Sequence, residues 1–103
     1  MIRIMYANRR YSPILVCDIC GQRIEDGAMA AALTGAMTQE EGSLTDVLHV
    51  HKGSCHTQAE RNIESTLAEP DVVGWQELGA HLSSLIHNVG FKPKDLEDYE
   101  TDL

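Results

Sequence analysis

Ile2, Ile4 and Tyr6 alternate with Arg3 and Met5, Asn8-Arg9-Arg10 interrupts, and Ile14-Leu15-Val16 follows Pro13. A period of two over so short a span predicts two strands around a polar turn. Residues 28–37 are alanine-rich and fit a helix by propensity, yet they lie where a hairpin is needed, and context favours a strand. A polar turn over Gln39 to Ser43 follows. From Thr45 to His51 the alternation returns, with Leu48 and Val50 on one face and Val47, His49 and His51 on the other.

The period then changes. Cys55, Ala59, Ile63 and Leu67 recur every four residues, which predicts a helix entered at Gly53-Ser54 and stopped by Pro70. Trp75, Leu78, Leu82, Leu85, Ile86 and Val89 fall within an arc of about 100° on a helical wheel, predicting a second amphipathic helix from Gly74 to Val89. Gly90 is placed to end it in the left-handed conformation, with Phe91 folding back on Ile86. From Asp95 to Leu103 the chain has acidic residues and no base, the composition of a flexible, solvated tail.

These elements bring chemistry with them. The first hairpin delivers Cys17-Asp18-Ile19-Cys20-Gly21, and the later strand and helix deliver His51 and Cys55. Two close ligand pairs separated by a hairpin-sized insert can surround one tetrahedral Zn²⁺, and a glycine after Cys-x2-Cys lets backbone N–H groups turn toward sulfur. The expected ligands are Cys17, Cys20, His51 and Cys55. His56 lies about 100° around its helix from Cys55 and His49 one strand repeat from His51, so these two are the substitutes; His81 and His87 are assigned no chemistry.

Composition changes the picture in three ways. A chain of 103 residues buries roughly two thirds of its unfolded surface, and only 5% of this one is aromatic, so an internal staple matters. Three cysteines cannot all pair within one chain, which directs Cys-x2-Cys toward metal before disulfide. The net charge of −8 argues against a surface built throughout for phosphate, although residues 1–24 hold Arg3, Arg9, Arg10 and Arg23 against Asp18 alone. Asn8-Arg9-Arg10 leaves no apolar leader of adequate length and no run approaches a membrane span, so a cytoplasmic protein is expected.

Knuckle, hairpin, then a ligand in the first turn of a helix resembles the treble-clef group of zinc fingers over about residues 14–69. Cys17-x2-Cys20-Gly21 matches that pattern closely; His51-x3-Cys55 departs from the more usual two-residue spacing. The expectation is therefore an α+β fold, with a small treble-clef-like zinc module of β-hairpins plus helix and an additional C-terminal amphipathic helix. A single zinc-binding domain would occupy residues 1–94 and an acidic tail residues 95–103.

A Cys3His site leaves no open position for a reacting water, and His49-Val50-His51 lacks the glutamate of the zinc deaminases. Gly21 to Gly27 is too short for the helix that a thioredoxin-like pair requires. The expected function is non-enzymatic: structural zinc supporting an adaptor surface, with another protein or a second copy bound through the Trp75 helix. The alternative is nucleic-acid binding by the basic N-terminal edge, Arg3, Arg9 and Arg10, interleaved with Tyr6 and Tyr11.

Overall fold

The computed structural model describes residues 1–36, 45–66 and 72–102. It shows an α+β architecture with two small antiparallel sheets. The first is a hairpin of β1 (Ile2–Ala7) and β2 (Arg10–Leu15), paired from Ile2 with Leu15 to Tyr6 with Tyr11. Its turn residues Asn8 and Arg9 both have positive φ, 53° and 62°. A two-residue loop of that hand matches the right-handed twist of the flanking strands.

After β2 the chain forms the knuckle, closed by an antiparallel bridge between Val16 and Arg23. Cys17 N–H donates to the Gln22 carbonyl and Gly21 N–H to the Cys17 carbonyl, at 2.9 and 3.0 Å. Gly21 has φ +75°, where a side chain would be strained. A short 3-10 turn, Gly27–Met29, is capped by the Asp26 carboxylate accepting from Ala28 N–H and leads into the second sheet.

That sheet has the order β4-β3-β5: β3 (Ala30–Ala36) lies between β4 (Val47–His51) and β5 (Val72–Glu77). Being central, β3 is the most buried segment, with Ala30, Ala31, Ala32 and Leu33 all excluded from solvent. Sheet pairing overrides the helix propensity of this alanine run because both edges of the strand find partners. The polar turn expected at residues 39–43 lies outside the described residues.

Helix α1 (Ser54–Thr66) packs on β3 and β4. Cys55, Ala59 and Ile63 line its inward stripe, against a core of Cys17, Ala31, Leu33, Val50 and Ala59. Leu67 and the expected stop at Pro70 lie outside the described residues. The core is thin: Leu33, Val50 and Cys17 are its largest fully buried side chains.

One expected element is corrected. Gly74 to Glu77 is not helical; Trp75 belongs to β5 and pairs with Leu33. The helix begins four residues later, as α2 (Leu78–Asn88), with Leu78 buried and packing on β3, β5 and the 3-10 turn. Trp75 and Leu78, three apart, satisfy the helical wheel, but Trp75 is taken by a ladder with a strand forty residues away, which a local period cannot register. Trp75, expected on the helix, therefore stands exposed on β5, just ahead of α2.

Gly90 has φ +92°, and its N–H donates to the His87 carbonyl while Phe91 N–H donates to the Ile86 carbonyl, both at 3.1 Å. The pair of bonds is a Schellman motif. Beyond it, α3 (Pro93–Leu96) and a 3-10 turn (Glu97–Asp102) carry the acidic residues in short helical turns. Among the described residues no helix is long and apolar enough to cross a membrane.

Candidate metal centre

Four side chains far apart in sequence converge where the knuckle, β4 and α1 meet. One ligand atom from each of Cys17, Cys20, His51 and Cys55 lies within 4.8 Å of all the others, and the group could hold a metal ion. With Zn–S of about 2.3 Å and Zn–N of about 2.0–2.1 Å, tetrahedral ligand atoms lie roughly 3.5–3.8 Å apart. The Cys20 Sγ to His51 Nδ1 separation of 3.4 Å is close to that edge.

Each side chain is placed by a different local cause. The turn of the knuckle brings Cys17 and Cys20 to one side of the loop. His51 ends β4, on the face opposite Leu48 and Val50, and Cys55 starts the buried stripe of α1. Burial is graded across the site. Cys17 is 1% exposed and embedded in the hydrophobic core, His51 and Cys55 are half-buried, and Cys20 is exposed.

The backbone sets the electrostatics. Burial by itself raises the Cys17 thiol, but the N–H groups of Cys20, His51 and Ile19, helped by the Cys20 side chain, outweigh it and bring the group down from 9.0 to about 6. Cys17 thus gives up its proton more readily than Cys55 does. Cys55 moves the opposite way, pushed up to about 11 by burial, by its hydrogen bonds to Cys17 and Cys20, and by their charge. Without a cation the sulfurs share protons; a divalent cation would take the place of those protons.

His51 is oriented from behind. Its Nε2 lies 3.3 Å from the Arg23 carbonyl, which can only accept, so the ring proton sits on Nε2 and Nδ1 presents its lone pair toward Cys20. Metal-ligating histidines are held in this way by an outer hydrogen bond. The Arg23 contact was not anticipated from sequence, because a main-chain carbonyl leaves no residue-type signal.

Asp18 was missed as well. Its Oδ2 accepts from His49 N–H at 2.7 Å, and its own N–H donates to the His49 carbonyl at 2.9 Å, so the knuckle ties into the outer edge of β4. A carboxylate inside Cys-x2-Cys is the only hint that the sequence offers.

The two substitute histidines lie elsewhere. His49 is buried beside Asp18, the Met1 amino group and His81. Burial first, then the amino group and His81, lower its pKa, with Asp18 opposing. His56 pairs with Glu60 at 2.9 Å and meets Trp75 edge to face. Neither belongs to the four-residue group. No family model, no curated protein and no solved structure matches this chain.

Proposed function

We propose that Cys17, Cys20, His51 and Cys55 hold one Zn²⁺ whose task is to fold the chain, and that the protein acts without catalysis, as a cytoplasmic adaptor for another protein. The convergence of one imidazole and three thiol sulfurs within 4.8 Å carries this reading. Soft sulfur with imidazole in a four-coordinate arrangement favours zinc over the harder divalent ions. The order knuckle, hairpin β3–β4, then helix α1 supports a treble-clef-like module, to which β5 and α2 are additions.

The energetics favour a structural role. Burying Leu33 or Val50 contributes about 1.5–3 kcal/mol each, and most of the remaining core is alanine. Structural zinc in small modules contributes on the order of 10 kcal/mol, comparable with the net stability of an entire domain. Four protein ligands leave no position for substrate or water, so the zinc shapes a surface and does no chemistry.

Cobalt substitution tests the ligand set. Co²⁺ added to the metal-free protein should give the ligand-field bands of a tetrahedral thiolate site, displaced by one equivalent of Zn²⁺, and Cys17→Ser should lose them. Octahedral Co²⁺ spectra, or a Cys17→Ser variant indistinguishable from the parent, would refute the assignment.

A further inference from the structure

The hairpin β1–β2 presents an apolar face that nothing in the described chain covers. Its register places Ile2, Ile4 and Tyr6 beside Leu15, Pro13 and Tyr11 on one side, and Arg3, Met5, Ala7, Arg10, Ser12 and Ile14 on the other. On the first side Ile2, Ile4, Tyr6 and Tyr11 are 66, 65, 60 and 77% exposed, with the two tyrosine rings 4.7 Å apart. No residue of that strip is charged. A two-stranded hairpin is marginal alone in water, and a contiguous exposed apolar strip marks an interaction site.

We infer that this strip is a self-association surface, and that two copies of the chain pack hairpin on hairpin about a two-fold axis. The area is adequate. At about 200 Å² for a large side chain, the four exposed residues offer on the order of 500 Å² per copy, so two copies bury about 1,000 Å², the lower bound for a specific interface. The strip is self-complementary, as an isologous contact requires, and burying it desolvates no charge.

Charge selects the arrangement. The hairpin carries Arg3, Arg9 and Arg10 and no acid, whereas all of the acidic residues lie beyond it. Antiparallel packing sets the turn residue Arg9 at each tip near the root of the other hairpin, toward the acidic body, while parallel packing would bring the two Arg9 tips together. The same register weakens the nucleic-acid alternative, since Arg3 and Arg10 point away from the face that carries Tyr6 and Tyr11. This inference is independent of the metal assignment.

Sedimentation equilibrium on the intact chain as purified, with its metal content recorded, tests the proposal. A reversible monomer–dimer equilibrium is expected, weakened about 100-fold or more by Ile4→Asp combined with Tyr11→Asp, because each substitution acts twice in a symmetric interface. Helix signal and metal content should stay at the parental values. Should the double variant lose its fold, Tyr11→Ser at the most exposed position should still weaken the dimer about tenfold. A chain that stays monomeric up to about 100 μM, or a dimer indifferent to Tyr11→Ser, overturns the proposal. A monomer that binds single-stranded oligonucleotide through the same tyrosines overturns it in favour of nucleic acid.

Discussion

The N-terminal hairpin and the segment from Cys17 to Thr66 solve the problem of stability in opposite ways. The hairpin is local: its strands are adjacent, its two turn residues adopt the conformation that the twist demands, and its apolar face remains open to solvent. The second region is non-local: knuckle, β3, β4 and α1 meet around a small core whose deepest side chains include a cysteine of the candidate metal centre. Local pattern therefore suffices to form an element, whereas holding several elements together around a core with so many alanines is the role we propose for the cluster of sulfurs and imidazole.

Removing one sulfur should produce the largest difference between the two regions. Cys17→Ser or Cys55→Ser takes away a ligand and should forfeit most of a contribution on the order of 10 kcal/mol, unfolding residues 17–66. Hydrogen exchange would show protection lost throughout β3, β4 and α1. Retained protection with normal metal content would break the comparison.

Leu33→Ala comes next, with an expected cost of about 2–5 kcal/mol in denaturant midpoint at unchanged metal stoichiometry, since Leu33 is fully buried at the centre of the sheet. A smaller effect is expected from pH on the reduced, metal-free chain when it is driven to fold by a stabilising osmolyte such as TMAO. The Cys17 thiol is lowered from 9.0 to about 6 on folding, so its stabilisation is fully present above pH 9 and is lost as pH falls toward 6. The Cys55 thiol is raised from 9.0 to about 11, so its contribution is present below pH 9 and is lost as pH rises toward 11. The osmolyte concentration needed to fold the metal-free chain should therefore be lowest near pH 9, and a flat profile between pH 6 and 11 would contradict the assigned shifts.

The smallest expected effect lies in the hairpin. Arg9 has φ +62°, a conformation that costs a non-glycine residue about 1 kcal/mol, so Arg9→Gly should steady the turn by up to that amount without altering metal content. A change in metal stoichiometry would show that the two regions are coupled more tightly than their separate construction implies.

What could be read in advance follows the same division. The alternation of Ile2, Ile4 and Tyr6, the four-residue recurrence of Cys55, Ala59 and Ile63, and the Gly90 terminus are local periods, and each corresponds to an observed element or bond. The spacing of Cys17, Cys20, His51 and Cys55 identified the residues that converge, because ligand chemistry restricts which residue types can meet. Trp75 misled because a tryptophan three residues before Leu78 fits a helical wheel as well as a strand, and only pairing with the distant Leu33 decides between them. The Arg23 carbonyl and the bond from His49 N–H to Asp18 were illegible because main-chain partners are chosen by the fold and not by side-chain type.

The most direct measurement is elemental analysis of the chain purified without added metal, paired with its circular dichroism before and after chelation. One zinc per chain, with loss of ordered structure when it is withdrawn and recovery when it is returned, is the predicted result. A folded preparation containing no metal, or one whose spectrum is unchanged by chelation, would contradict the proposal that zinc holds this protein together.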